Sequence, residues 1–319
     1  MRRSVLLLLV VVWVLLGACG LPARAAGKLA VGAGASMAQE PKAAGEEAAK
    51  KARAALGEAE PKLVLVHYNG PLIPKAAAVV EGVAGVFPKQ IIYGCGAYAA
   101  LAGESNDAAV AVLALGGDVA VSAAVAATAG PKDDADCGRK LGEALKDAAA
   151  AGPGKVLILF GACHIPRNDQ VVRGICGVLG EAFPIVGAAA FRDDIVARGE
   201  LVKGSNVAIL LTGPFACGFG LAKDMSPEGL ISSARDTVKA ALGEKRDKAA
   251  LLLVFDCGGR RGEMQKNKTF GKELEAMKEA AGGVPLFGFY ASGEMGCTTV
   301  GAPPKGVGYH IAACAILAE

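Results

Sequence analysis

The sequence has few aromatic residues and no cluster of basic ones. Phe, Trp and Tyr make up 5% of its 319 residues, and 34 basic residues are nearly balanced by 31 acidic ones. Arg2, Arg3 and Arg24 lie near the N-terminus, so the rest of the chain is almost neutral. Proteins that bind nucleic acids usually present a basic face and aromatic residues that stack on bases. We therefore expect no nucleic-acid partner.

Histidines are scarce, and the cysteines do not occur in close pairs. The chain has three histidines, and none of its nine cysteines is spaced as C-x-x-C. Structural zinc sites draw their ligands from such pairs. Cys163 and His164 are adjacent, so in a strand they would point to opposite faces. We expect neither a metal nor another cofactor, and the scattered cysteines do not imply a disulfide framework.

One glycine-rich segment resembles a nucleotide-binding motif. Residues 94–99 (GCGAYA) fit the pattern G-x-G-x-x-A and follow an apolar strand. That motif must open a full helix, yet only about eight residues separate it from the next predicted strand, which begins at Ala108. We therefore do not interpret the segment as a dinucleotide site.

The N-terminus has the order of features of a secretory signal. Arg2 and Arg3 precede an apolar run, Val5–Leu16, which is shorter than the roughly 20 residues that span a bilayer. Leu16–Cys19 resembles the lipobox of bacterial lipoproteins, and Ala23–Ala25 fits an ordinary cleavage site. We favour lipid attachment at Cys19, because it ends the apolar run directly. The expectation is an exported protein, either periplasmic or held to the membrane by a lipid anchor alone.

The remainder of the chain contains three copies of one pattern. Three apolar strands resemble one another and each follows an Ala-rich helical stretch; they are Lys62–His67, Lys155–Phe160 and Ala250–Phe255. A second helical stretch then leads to an apolar-Pro-strand-Gly segment, and these segments begin at Phe87, Phe183 and Val284. The third strands are Ala108–Leu115, Asn206–Leu211 and Tyr309–Leu317.

This repetition predicts an α/β fold of three helix-strand-helix-strand-strand units that form helix-covered sheets. The predicted units are 41–128, 133–222 and 226–319. Residues 1–26 are assigned to the signal peptide. Residues 27–40 show no periodicity and are predicted to be a linker.

Polar residues, thiols and glycines gather where the predicted strands stop. In α/β sheets, ligands bind in the crevice beyond the carboxyl ends of the strands. The candidate segments are 67–69, 95–98, 163–164, 192–194, 256–261 and 290–294. This arrangement indicates a polar binding cleft. Cys163 or Cys257 could instead pair with a histidine as a nucleophile, which would make the protein a cysteine-dependent hydrolase or redox enzyme of the cell envelope.

The C-terminal unit resembles a known family. Leu251–Met264 (LLLVFDCGGRRGEM), Val284–Gly296 (VPLFGFYASGEMG) and Gly308–Leu317 (GYHIAACAIL) are similar to the C-terminal FIST domain. The upstream part, 41–222, resembles the FIST N-terminal domain more loosely, and 223–319 would be the C-terminal domain. The family usually continues its histidine with Asn-Gln-Thr, whereas this chain has Ile-Ala-Ala after His310.

The resemblance implies a sensory module that binds a small ligand such as an amino acid. A zwitterion needs one acid and one base, for which we expect Glu294 and Arg260. The full set of expected ligand-binding residues is Cys257, Arg260, Tyr290, Glu294, His310, Cys95 and Cys163. No kinase or cyclase domain is recognisable in the sequence, so we expect signalling through an envelope partner. A scaffold that binds another envelope protein is a third reading, which would show a large exposed apolar patch.

Overall fold

The computed structural model describes residues 29–318, which form eighteen strands and seven helices. The predicted signal peptide and Cys19 lie outside the described residues. The fold class predicted from the sequence is confirmed, because three units of the same design follow one another along the chain. None of the helices in the described part is long and apolar enough to cross a membrane.

The first unit contains, in chain order, β1 (Leu29–Ser36), α1 (Pro41–Leu56), β2 (Pro61–Asn69), α2 (Ala76–Ala84), β3 (Ile92–Ala97), β4 (Ala99–Ala102), β5 (Ser105–Ala108) and β6 (Val110–Gly117). The second contains β7 (Ala120–Ala127), α3 (Asp134–Ala149), β8 (Gly154–Gly161), α4 (Arg167–Leu179), β9 (Ile185–Ala189), β10 (Ile195–Ala197), β11 (Glu200–Leu201) and β12 (Ser205–Gly213). The third contains β13 (Phe215–Ala222), α5 (Pro227–Leu242), β14 (Ala249–Cys257), α6 (Gly258–Lys266), α7 (Phe270–Ala281), β15 (Leu286–Ala291), β16 (Glu294–Gly296), β17 (Lys305–Val307) and β18 (Ile311–Ala318).

Each unit builds four strands of a six-stranded sheet and lends two short strands to another sheet. We call the lent pairs arms: β4 and β5, β10 and β11, β16 and β17. The sheet orders are β1-β6-β2-β3-β10-β11, β7-β12-β8-β9-β16-β17 and β13-β18-β14-β15-β4-β5. The first arm therefore joins the third sheet, the third arm joins the second sheet, and the second arm joins the first. This cyclic exchange interlocks the three units.

The strands are apolar on both faces because both faces are buried. Their inner faces meet in one central core to which all three sheets contribute, including Leu65, Phe160 and Phe255. Their outer faces are covered by the helices of the same unit. In each unit the two parallel strands end on the same side; β14 and β15, for example, end with Cys257 paired to Ala291. In each unit, the polar strand-end segments predicted from the sequence follow these strand ends.

The predicted linker is wrong over Leu29–Ser36, which forms β1 and pairs along its whole length with β6. Its sequence, LAVGAGAS, shows no strand pattern because small residues replace large ones on the face that meets α1. A Cβ at Gly32 would lie 2.2 Å from the carbonyl oxygen of Ala52 in that helix. By the same design β7 and β13 open the second and third units, whereas the sequence grouped 120–127 and 215–222 with the preceding units.

Candidate functional site

Cys257 lies where strand β14 passes into helix α6. It is the N-cap residue of that helix, and its Sγ accepts hydrogen bonds from the backbone N–H groups of Gly259 (3.4 Å) and Tyr309 (3.3 Å). The thiol is almost fully buried. Because the first N–H groups of a helix carry partial positive charge, this turn can hold a negative or polar group.

Glu294 is a fully buried acid beside this thiol. It opens β16 and pairs with Ala188 of the second unit and Val307 of its own arm. Its Oε2 accepts the backbone N–H of His310 at 3.0 Å, while its Oε1 has no hydrogen-bond partner among residues 29–318. Burial raises the pKa of Glu294 well above the usual range. Burial, followed by the neighbouring Glu294, raises the pKa of Cys257 to about 12.

Two partly exposed aromatic rings lie on the first turn of α6. A Cβ at Gly258 would lie 2.4 Å from the ring of Tyr98, and one at Gly259 would lie 2.6 Å from the ring of Tyr309. Only glycine allows both rings to approach the backbone so closely. Tyr98 is 39% exposed and Tyr309 is 49% exposed, and Tyr98 also packs on Phe191 with ring centroids 4.2 Å apart. We call these three rings, Tyr98, Phe191 and Tyr309, the rim of the site. Each of the three units contributes one of them.

Positive charge surrounds this rim. Lys223 Nζ lies 6.0 Å from the centre of the Tyr309 ring, and the Arg192 guanidinium lies 5.2 Å from the centre of the Phe191 ring. His310 is partly buried, and burial lowers its pKa, so its ring is neutral near pH 7. The site therefore has cations at its entrance and, beneath them, a buried acid whose pKa is raised.

Arg260 and Tyr290 do not belong to this site, which corrects our expectation for them. Both side chains are fully buried in a network with Asp256 and Glu273. The five donors of Arg260 bind Asp256 Oδ1 (2.7 Å), Glu273 Oε1 (3.1 Å), Ser233 Oγ (3.1 Å) and the carbonyl oxygens of Asp224 (2.8 Å) and Leu230 (2.8 Å). Tyr290 donates to Glu273 Oε2 at 2.7 Å. Since all five donors are used internally, Arg260 ties β14 to α5 and α7 and has none left for a ligand.

Cys95 and Cys163 also lie elsewhere. Cys95 is in the central core, where its Sγ is 3.5 Å from His67 Nδ1. Cys163 is in the second unit and donates to Asp134 Oδ1 at 3.2 Å. Of the predicted ligand-binding residues, the structure brings together Cys257, Glu294 and His310.

Tyr309 and Phe191 of the rim and Lys223 beside it escaped the sequence analysis. Tyr309 directly precedes His310, and it could have been found as the aromatic residue that opens the last strand of the family motif. Phe191 and Lys223 come from other elements, so only the fold brings them here.

The thiols of residues 29–318 whose pKa is raised by burial lack the properties of nucleophiles. Burial raises the pKa of Cys163 to about 12 and that of Cys176 to about 11, and it raises that of Cys95 well above the usual range. Burial also lowers the pKa of His67 to about 3, so its pair with Cys95 is a neutral thiol and a neutral imidazole. No group of three or more His, Cys, Asp and Glu side chains in 29–318 is arranged to hold a metal ion.

Comparison with known proteins agrees with the resemblance seen in the sequence. The family model of the FIST N domain matches residues 62–239, and that of the FIST C domain matches residues 205–297. None of the curated proteins matches the sequence.

Solved structures share the overall fold. Cyanuric acid hydrolase from A. caulinodans is 13% identical and aligns with a TM-score of 0.51 over 92% of this chain and 99% of its own. A second cyanuric acid hydrolase structure is 12% identical, with a TM-score of 0.48 over 90% of this chain and 99% of its own. At 13% identity, the similarity to the A. caulinodans structure shows a shared fold and nothing about function.

Proposed function

Because the chain belongs to the FIST family, whose domains are sensory modules that bind small ligands, we propose that it is an extracytoplasmic sensory protein. Its ligand is an amino acid or a related small metabolite, which binds at the Cys257–Glu294 site. The observation that carries this proposal is the unpartnered Oε1 of Glu294. Buried polar atoms in folded proteins almost always have a hydrogen-bond partner. A donor group of a ligand would satisfy this oxygen.

The groups around Glu294 complement an amino acid. An ammonium group would bind Glu294 Oε1, and its charge would favour the ionised carboxylate. The ligand carboxylate would lie at the N-terminus of α6 and near Lys223, which together take the role expected of Arg260. The rings of Tyr98 and Tyr309 would contact the ligand side chain.

Access to Glu294 requires the segment Gly308–His310 to move. The backbone N–H groups of Tyr309 and His310 bind Cys257 and Glu294 and so cover both. Tyr309 has a φ of 60°, a strained value for a bulky residue, and its ring is half exposed. Strain of this kind is concentrated at functional sites. In our proposal this segment opens to admit the ligand and closes over it.

The state of the thiols supports binding over catalysis. A cysteine nucleophile needs a depressed pKa, whereas burial raises that of Cys257. The proposed cellular location rests on the sequence, because the signal-like N-terminus supports export and a lipid anchor at Cys19. In this proposal, the sensory domain signals ligand binding to a partner protein in the cell envelope.

A thermal screen with Glu294→Gln tests the ligand site. An amino acid at a hundredfold over its dissociation constant should stabilise the wild-type protein by about 2.7 kcal/mol, a rise in Tm of roughly 5 °C. Glu294→Gln should abolish this rise because a neutral amide cannot pair with an ammonium group. The Tm of the free protein should change by only about 2 °C, since Gln resembles the protonated acid. Glu143→Gln, at an exposed position of α3, serves as the matched control.

Lys223→Ala gives a second test at the entrance of the site, where no core contact is lost. It should weaken binding about tenfold through loss of its attraction for the ligand carboxylate. An unchanged ligand response in both variants would show that the ligand binds elsewhere.

A further inference from the structure

A cavity of about 720 Å³ lies between helix α4 and residues 303–307 of the third arm. Its volume is in the range of small-molecule sites, about 300–1,000 Å³. None of its lining residues belongs to the Cys257–Glu294 site. The cavity therefore needs an explanation of its own.

The loop of the third arm departs from the repeat and forms one wall of this cavity. The first arm joins its strands with two residues, Gly103 and Glu104, and the second also uses two, Arg198 and Gly199. The third arm joins β16 to β17 with eight residues, 297–304, of which Pro303 and Pro304 line the cavity. Strand pairing does not require the extra residues, because the other two arms pair without them. Long loops on a repeated scaffold commonly carry function.

The two walls are joined at one end, so the cavity is preformed. Asp169 Oδ1 accepts the backbone N–H of Gly306 at 3.0 Å, and its Oδ2 accepts Arg173 Nε at 2.7 Å. Asn168 Nδ2 donates to the carbonyl oxygen of Val307 at 3.2 Å. These bonds fix β17 against the N-terminal half of α4.

One end of the cavity carries two cations and the acid Asp169, which pairs with one of them, and the other end carries a single acid. Lys305 adjoins the Gly306–Asp169 bond and so lies at the same end as Arg173, whose side chain is 72% exposed. Glu181 follows the C-terminus of α4 at the other end. Neither Lys305 nor Glu181 forms an ion pair within the described part of the chain. At 1.5 Å per residue, Arg173 lies about 9 Å along the helix axis from Leu179, the last residue of α4, and Glu181 follows two residues further on.

We propose that this cavity binds a tripeptide with free termini. Its carboxylate would lie at Arg173 and Lys305, its ammonium group at Glu181, and its side chains against Pro303 and Pro304. An extended tripeptide measures roughly 10 Å between its termini, enough to reach from Arg173 to the end of α4. A single amino acid is too short to reach both ends.

Calorimetric titration with tripeptides Ala-X-Ala, X being each of the twenty residues, tests this site. Free-termini peptides with apolar X should bind the full-length protein. N-acetylation or C-amidation of the best peptide should weaken binding about tenfold, the size of one charge-assisted contact. Glu181→Gln should bind the free and N-acetylated peptides equally, and Lys305→Ala should reduce the effect of amidation. Glu143→Gln and Lys146→Ala on α3 are the matched controls.

Thiol labelling locates the bound peptide. Cys176 lines the cavity and Cys217 does not, and both are partly exposed. The peptide should slow alkylation of Cys176 and leave that of Cys217 unchanged, also in the Glu294→Gln variant. The proposal is overturned if no tripeptide binds, if capped peptides bind as well as free ones, or if Cys176 is not protected.

Discussion

At the scale of single residues, the centre of the molecule contains a histidine where symmetry would place a phenylalanine. His67 in β2, Phe160 in β8 and Phe255 in β14 each follow the residue that pairs with a glycine of the neighbouring parallel strand. All three rings are fully buried, and those of His67 and Phe160 meet edge to face at 5.2 Å. His67 Nε2 has no hydrogen-bond partner in 29–318. The uncharged imidazole thus acts as a core ring.

Because the His67 ring is buried, we expect the free energy of unfolding to fall in acid. The pKa of His67 falls from 6.5 in the unfolded chain to about 3 in the fold, so the unfolded state binds its proton first as the pH falls. Its contribution to stability is complete above pH 6.5 and is lost between about pH 6.5 and 3. By pH 4 the loss should be about 3 kcal/mol. Urea denaturation at pH 7 and pH 4 measures it.

His67→Phe should remove this part of the loss, because phenylalanine has no proton to bind. His164→Gln changes an exposed histidine and should keep the wild-type pH dependence. Equal losses in the wild type and His67→Phe would mean that the unfolding at low pH has another source.

The sequence predicts where a residue lies when a motif fixes the local backbone. It does not predict whether a side chain is buried when distant residues decide this. The strand-end pattern and the family motif named Cys257, Glu294 and His310, and the structure places these three residues side by side. They also suggested Arg260, but its partner Glu273 lies on α7, thirteen residues further on, and the carbonyl of Leu230 lies on α5. No local pattern shows that these groups converge on one guanidinium.

At the scale of elements, the longest apolar strands were predictable and the short ones were not. Lys62–His67, Lys155–Phe160 and Ala250–Phe255 all fall within observed strands because a strand buried on both faces reads as an apolar run. The arm strands have only two to four residues, too few for a period of two to appear in the sequence. The arm strands pair with strands of another unit. Their pairing therefore cannot be predicted from the sequence of one unit alone.

The parallel strand pairs depend on one glycine in each unit. A Cβ at Gly94, Gly187 or Gly288 would lie 1.8, 2.0 or 1.6 Å from the carbonyl oxygen of the paired residue. Backbone atoms inside a sheet cannot move aside cheaply. Gly288→Ala should therefore lower the free energy of unfolding by at least about 3 kcal/mol, as measured by urea denaturation.

Gly262→Ala is the matched control for this substitution. Gly262 lies in helix α6, and apart from the backbone of its own helix and its chain neighbours no atom lies within 4 Å of an added Cβ. Alanine there should stabilise the protein by about 0.5–1 kcal/mol through its better helix propensity. Tolerance of alanine at Gly288 would show that β14 and β15 are not packed as closely as described.

At the scale of the whole molecule, the cyclic exchange of arms makes the two predicted FIST domains a single body. The first arm completes the sheet of the third unit, while the third arm completes that of the second. Elements matching the N-terminal and C-terminal family models thus share sheets. The Cys257–Glu294 site follows from this exchange, because Tyr98 reaches it only through the first arm and Glu294 lies on the third.

The position of β1 shortens the predicted connection between this body and the membrane. Since β1 begins at Leu29, nine residues separate it from Cys19, and the ten peptide units between the two reach at most about 35 Å. An acylated Cys19 would hold the protein firmly, because each buried methylene contributes roughly 0.8 kcal/mol. We predict that the wild-type protein sediments with membranes and that Cys19→Ala releases it into the soluble fraction with its Tm unchanged. Detergent extraction of the wild type should yield an N-terminal peptide carrying lipid mass on Cys19, whereas a soluble wild type beginning at Ala26 would show that ordinary signal cleavage occurs instead.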